Sequence, residues 1–245
     1  MNHPLPPPTR VGKLEAAVQK LFTRSVKVIK VAAINDAFRL ITLGGAALRE
    51  AAFTPGDKLQ IQLGGWVQRT YTPFDWDGVA GTARILVCLH AGGPGAQWAR
   101  AVRSGDTAIL FGPRKSLQLA PSDAATIVCG DESALGVAAA MTRHGAAPVV
   151  RVLLEVASLA QTLPVLAPIG LDGAQLCVRE KDNGHLPALA NQLNALLQLD
   201  GRATVVLTGR ASTIQYLGRM LKASGHATGK RLSKAYWADG KTGLD

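Results

Sequence analysis

The string Arg69-Thr70-Tyr71-Thr72-Pro73 closes a strand-like run and places three kinds of useful side chain within five residues. An arginine offers a planar fork of donors to a phosphate. A tyrosine offers a flat aromatic face, and a threonine a hydroxyl within reach of a ring nitrogen. Together they suit a ligand that carries both a phosphate and an aromatic ring, although an edge strand that happens to contain Arg and Tyr has the same composition. A second string, His90-Ala91-Gly92-Gly93-Pro94-Gly95-Ala96-Gln97-Trp98, runs from a strand end into a helix start. Glycines there let backbone amides approach a phosphate, and a helix N-terminus adds positive potential. The string does not match G-x-G-x-x-G, and alone it also reads as a Gly/Pro loop with a surface histidine.

The stretch Arg219–Lys234 is the third candidate. It holds Arg219, Lys222, Lys230, Arg231 and Lys234 with no acid between them. It reads either as a basic mouth that attracts an anionic ligand or as a solvated helix end and loop. Other chemistries find no support. Gly240-Lys241-Thr242 lacks the first glycine of a P-loop, since residue 235 is Ala. No H-E-x-x-H or C-x-x-C occurs, so no catalytic metal is expected. Neither Ser133 nor Ser212 lies in a G-x-S-x-G elbow, which leaves acyl transfer without a nucleophile.

The elements that must position these residues divide the chain in two. A helix is predicted over Lys13–Arg24, where Leu14, Val18, Leu21 and Phe22 form one stripe. Six short strands follow, at Ser25–Ile34, Ala37–Leu43, Lys58–Leu63, Trp66–Thr72, Arg84–His90 and Thr107–Phe111. Gly/Pro turns separate them, with one helix over Gly95–Val102. This spacing argues for a small antiparallel barrel. Beyond the polar stretch 112–123 the pattern changes to strands (Thr126–Cys129, Val149–Val156, Ala174–Val178, Thr204–Thr208) alternating with helices (Glu132–His144, Leu186–Leu197, Ser212–Ala223). Such alternation implies an open, mostly parallel α/β sheet. The expected organisation is an arm and helix over 1–24, a barrel over 25–117 and an α/β domain with a basic C-terminal segment over 118–245.

Composition sets the class. Of 245 residues, 47% are hydrophobic and 18% charged, enough for buried cores and too apolar for a disordered chain. No apolar run reaches the roughly 20 residues of a spanning helix, and the N-terminus lacks a signal peptide, so a cytoplasmic protein off the membrane is expected. The three cysteines are scattered in apolar runs, as buried free thiols are. Net charge is +10, and residues 1–117 carry 15 basic against 7 acidic side chains. Such a surface attracts anions. With 5% aromatic residues and no recognition motif, the chain lacks the stacking platforms that nucleic-acid binding adds, although a basic barrel that binds single strands without catalysis is the reading from another class.

The two glycine- and arginine-bearing strings together resemble the siderophore-interacting protein family, FAD-dependent ferric-siderophore reductases of the ferredoxin-reductase superfamily. An R-x-Y-T strand end precedes H-x-G-G-P-x-x-x-W-A by about twenty residues, a Gly105-Asp106 turn follows, and Gly112-Pro113-Arg114 comes next. The likeness continues through Gly130-Asp131-Glu132-Ser133-Ala134-Leu135 and Gly209-Arg210-Ala211-Ser212 to Ala235-Tyr236-Trp237.

The resemblance implies an FAD-binding barrel and a nucleotide-binding-like second domain. By position, Arg69 would contact the flavin phosphate, Tyr71 would pack by the isoalloxazine and Thr72 would bond near its N5, with Thr70 between them. His90, Gly92, Gly93, Ala96 and Gln97 would hold the pyrophosphate and adenosine, and Trp98 would begin the supporting helix. Lys230, Arg231, Lys234 and Trp237 would face an anionic ferric siderophore. The redox chemistry belongs to the flavin, so no catalytic acid or base is assigned. Electrons would come from NAD(P)H or a ferredoxin, and a monomer is expected. Another flavin reductase of the same superfamily is the alternative enzyme. Three positions depart from the family pattern: Phe74 stands where a second Arg is usual, Arg210 where Glu is usual, and Ala238 where Arg is usual.

Overall fold

A computed structural model describes residues 23–64, 67–89, 92–118, 122–145, 147–225 and 229–240. Most of the helix predicted over Lys13–Arg24 lies outside them. Thr23 and Arg24 instead open a strand, β1 (Thr23–Ala33). In it Val26 and Val28 are buried between exposed Ser25 and Lys27, the period of two that gives a strand one buried face. The register shifts between Val28 and Lys30, and this bulge turns Ile29 out to solvent. The chain reverses at Asn35, whose Oδ1 accepts from the backbone N–H groups of Ala37 (2.9 Å) and Phe38 (3.0 Å) and so sets the start of β2 (Phe38–Gly44).

A short helix α1 (Ala46–Arg49) leads to β3 (Lys58–Gly64), β4 (Val67–Tyr71), β5 (Phe74–Asp77), β6 (Thr82–Cys88), helix α2 (Pro94–Ala101) and β7 (Thr107–Arg114). The seven strands form one antiparallel sheet in the order β4-β3-β7-β1-β2-β6-β5, curled into a half-barrel. The barrel expected from sequence is thus present with a seventh strand. The extra one, β5, is four residues of alternating aromatic and acidic type directly after Pro73, too short and too charged to stand out. Its consequence is local. Edge strands β4 and β5 are joined only by Thr72 and Pro73, so the Arg69-Thr70-Tyr71 string ends at the seam of the sheet.

The second half comprises β8 (Thr126–Gly130), α3 (Leu135–Arg143), β9 (Val150–Val156), α4 (Leu159–Ile169), β10 (Gln175–Val178), α5 (Leu186–Leu199), β11 (Thr204–Arg210), α6 (Ala211–Ala223) and β12 (Arg231–Trp237). Its five strands run parallel in the order β10-β9-β8-β11-β12. All five residues of β8 are buried, as expected for a central strand covered on both faces. Two of these elements were not predicted. Helix α4 contains Pro164 and Pro168, which read as breakers, yet Ser158 caps its start and Gly170, at φ 75°, ends it. The basic C-terminal segment is not a loop but the edge strand β12.

One core runs through both halves. Phe38, Leu40 and Phe74 of the curled sheet pack with Leu135, Val137 and Met141 of α3 and with Val128, Val152 and Val206 of the parallel sheet. Asp75 of β5 adds an ion pair to Arg143 at the end of α3, at 2.9 Å. Helices α5 and α6 cover the opposite face of the parallel sheet through Leu189, Leu193 and Leu217. Among the described residues no helix is long and apolar enough to cross a membrane.

Candidate functional site

Strand periodicity puts Arg69 and Tyr71 on one face of β4 and Thr70 on the other. Arg69 pairs across the ladder with Ile61 and Tyr71 with Leu59, both fully buried, so the two side chains lie on the side of the sheet that carries the core. Helix α2 arrives on that side. Ala96 and Ala99 anchor it in the same core, and its first turn abuts β4: a Cβ on Gly95 would lie 2.6 Å from Tyr71 Oη and 3.2 Å from Arg69 Cγ. Tyr71 and Trp98 also meet, with ring centroids 6.4 Å apart. Burial pushes the Tyr71 phenol up to about 12, against the opposing pull of the Arg69 charge.

The N-terminus of α2 is open. Its cap residue Gly93 offers no side-chain acceptor, and Pro94 at the first helical positions removes one donor, so among the described residues the next amides of the turn have no side-chain cap. Gly92 adopts φ +59°, and a Cβ on Gly92 or Gly93 would meet nothing within 4 Å. Gln97 Nε2 donates to Gly92 O at 3.0 Å and closes the loop onto the helix. Arg69 Nη1 donates to Gln68 O at 2.7 Å and pairs with no carboxylate among the described residues. An uncapped helix end, an arginine without a counter-ion and a glycine ledge with free space fit a dinucleotide phosphate, and Tyr71 beside them fits an aromatic ring. The described parts of the two sequence strings therefore meet on one surface, through Gly95 and Trp98 against Arg69 and Tyr71. Trp98 stands in the middle of α2 and not at its start. Thr70 lies on the opposite face, and His90 lies outside the described residues.

Thr72 marks where the halves touch. A Cβ on Gly136 of α3 would lie 2.9 Å from the Thr72 carbonyl oxygen, so the end of β4 sits against the helix that follows β8. The carboxyl ends of the parallel strands, where ligands of open α/β sheets bind, are close by in the chain. There Asp131 accepts from Ser133 N (2.8 Å), from the Ser133 hydroxyl and from Trp237 Nε1 (2.6 Å). Burial raises its carboxyl above the ordinary range while these bonds oppose the shift. Glu132 pairs with Arg179 at 2.7 Å. Arg210 pairs with Asp239 at 2.7 Å and donates to Asn183 Oδ1 at 2.6 Å. The guanidinium carbons of Arg179 and Arg210 stand 5.8 and 5.6 Å from the Trp237 ring centroid.

Sequence reasoning missed Arg179 and a buried network beneath it. Glu155 is fully buried in β9, accepts from Thr213 Oγ1 at 2.7 Å and bonds His185 Nε2. Glu180 N–H donates to His185 Nδ1 at 3.2 Å, so Nε2 carries the proton that Glu155 accepts. The signal was available: an acid inside the apolar run of β9 needs partners.

The four residues of the expected basic mouth are not brought together. Lys230 directly precedes β12 and Trp237 ends it, about 23 Å away at strand rise. Arg231 Nη1 donates to Gly218 O of α6 at 3.3 Å. Lys234, one face over, donates to Ser116 Oγ at 2.9 Å, and Trp237 closes on Asp131. The departures also find places. Phe74 is fully buried in the shared core under the Arg84 guanidinium, so the position serves the contact between halves.

Residues 63–117 match the family model described as Siderophore-interacting FAD-binding domain. No curated protein matches the chain. Its fold is similar to that of a siderophore utilization protein from T. fusca, with TM-score 0.69 and 24% identity over 91% of this chain and 95% of that one. It is similar also to the siderophore-interacting protein SipS from Aeromonas hydrophila, with TM-score 0.69 and 20% identity over 90% and 93%. The ferredoxin reductase in carbazole 1,9a-dioxygenase matches with TM-score 0.69 and 17% identity over 88% of this chain and 69% of that one. Residues 63–117 thus match a siderophore-interacting FAD-binding domain, and the chain as a whole has the two-domain fold seen in the siderophore-interacting proteins and in the ferredoxin reductase.

Proposed function

We propose that this protein is a flavin oxidoreductase that reduces the Fe(III) of an anionic siderophore complex to Fe(II) in the cytoplasm. The observation that carries the reading is the convergence of Arg69 and Tyr71 with the open N-terminus of α2. In that arrangement Arg69 and the amides of α2 would hold the cofactor phosphates, and Tyr71 would flank the ring. The shared core fixes the second half against the strand end at Thr72. Bound FAD supplies two-electron acceptance from a donor and one-electron delivery to iron. Hard oxygen ligands hold Fe(III) far better than Fe(II), so one electron loosens the substrate. The positive balance of residues 1–117 draws the anionic complex, and the three free cysteines suit a reducing compartment.

Two donors fit, NAD(P)H and a ferredoxin. Trp237, bonded to Asp131 at the carboxyl ends of the strands, is the side chain that a dinucleotide bound there would meet. The test is an anaerobic assay with a ferrous-specific chelator, run with NADPH and with reduced ferredoxin in turn. Chelated Fe(II) from a ferric siderophore with either donor supports the function and names the donor. Flavin-loaded protein that yields no Fe(II) with either one contradicts it.

A further inference from the structure

We propose that a second anion site, built to take a phosphate group, lies at the C-terminal end of α2. A cleft of about 390 Å³ opens there, lined by Val31 of β1, Arg39 of β2, and Arg100, Val102, Arg103 and Ser104. Arg39 Nε is buried and has no hydrogen-bond partner among the described residues. Buried donors are nearly always satisfied, and no protein group among the described residues satisfies this one, which marks Arg39 as an arginine without a protein acceptor at the cleft wall. Arg100 commits Nη2 to Leu89 O at 2.8 Å. Arg103 commits Nη1 to the carbonyls of Arg100 (3.1 Å), Ala101 (2.8 Å) and Val102 (3.3 Å), the ordinary duty of a cation at a helix C-terminus. A guanidinium has five N–H donors, so both keep others for a ligand.

Charge points the same way. Arg84, Arg143, Arg151, Arg179 and Arg210 each pair with a carboxylate, whereas Arg39, Arg100 and Arg103 pair with none among the described residues. The three guanidinium groups around the cleft make no carboxylate ion pair among the described residues and repel each other; Asp106, whose Oδ2 accepts from Arg103 N–H at 2.7 Å, offsets part of that repulsion, and a doubly negative oxyanion relieves the rest. Val31 and Val102 give the cleft an apolar wall, which favours a phosphate ester over the free ion. The site is separate from the flavin segment. Helix α2 has eight residues, so its ends are about 12 Å apart, and Gly92, Gly93 and Gln97 belong to the other end.

Calorimetric titration with inorganic phosphate and with phenyl phosphate at low ionic strength tests the assignment. Both are expected to bind saturably, with phenyl phosphate the tighter. Arg39→Gln should weaken both about tenfold or more, and Arg39→Lys should recover part of the loss. Should Arg39→Gln fail to fold, Arg103→Gln, at an exposed position, reads the same loss. Equal affinity for the two probes supports the site and assigns it to free phosphate. Absence of saturable binding overturns the proposal. So does weakening by Arg69→Ala with Arg39→Gln unaffected, which puts the anion at the flavin segment.

Discussion

Gly95 opens helix α2 directly against the hydroxyl of Tyr71, so closely that a Cβ would lie 2.6 Å from Oη. This contact joins a strand end and a loop separated by about twenty residues of sequence into one surface, and it makes the absence of a side chain at position 95 a condition of the site. Gly95→Ala should push α2 off β4, cost about 1–3 kcal/mol of stability and weaken FAD binding about tenfold. Tyr71→Phe in the same background removes the oxygen that clashes and should restore most of both. A double-mutant cycle by thermal melting and flavin fluorescence measures the coupling; additive losses would show that the contact is not the cause.

Arg69 has no carboxylate partner among the described residues to lose, so its removal should leave the fold intact. Arg69→Ala should cost the cofactor a charge-assisted bond of about 1.5–3 kcal/mol, or roughly 10- to 150-fold in affinity. Flavin content after dialysis is the readout. Full occupancy in the variant would remove Arg69 from the phosphate site.

The Tyr71 phenol, raised from 10.0 to about 12 by burial, predicts a late component in the ultraviolet titration of flavin-free protein. Tyr71→Phe should abolish it. The native state holds this proton more tightly than the unfolded chain. The stabilisation it contributes is therefore complete below pH 10.0 and is lost as pH rises through about 12. A wild type whose three tyrosines all ionise near pH 10.0 would mean that Tyr71 is solvated.

Phe74 and Asp75 separate packing from ion pairing at the contact between halves. Phe74 is fully buried in the shared core, and Phe74→Ala should cost about 3–5 kcal/mol. Asp75 pairs with Arg84 and Arg143, but these side chains are 23–36% exposed, and Asp75→Ala should cost about 1 kcal/mol or less. Chemical denaturation of the two variants checks the order. A larger loss at Asp75 would mean that ion pairs hold the halves together.

The parts of this account that sequence made legible are those set by short-range rules. Alternation in β1 and β6 and the turn at Asn35 follow from local side-chain chemistry, as does the strand–loop–helix passage into α2. What escaped depends on neighbours far along the chain. Helix α4 keeps Pro164 and Pro168 because Val165, Leu166 and Ile169 bury in the shared core, which outweighs helix propensity. Lys230, Arg231 and Lys234 read as one basic mouth, yet pairing with β11 stretches the segment into β12 and spreads its side chains along the strand. Arg179 has no distinguishing sequence context; only the parallel sheet brings it to Glu132 and Trp237.

The most direct test is a visible absorption spectrum of the purified protein under nitrogen, recorded after addition of FAD, then an electron donor, then a ferric siderophore. The site predicts bound-flavin bands that bleach with NADPH or reduced ferredoxin and return when the ferric complex is added. Protein that takes up no FAD would contradict the flavin site. Bands that bleach and stay bleached in the presence of the ferric complex would contradict the proposed substrate.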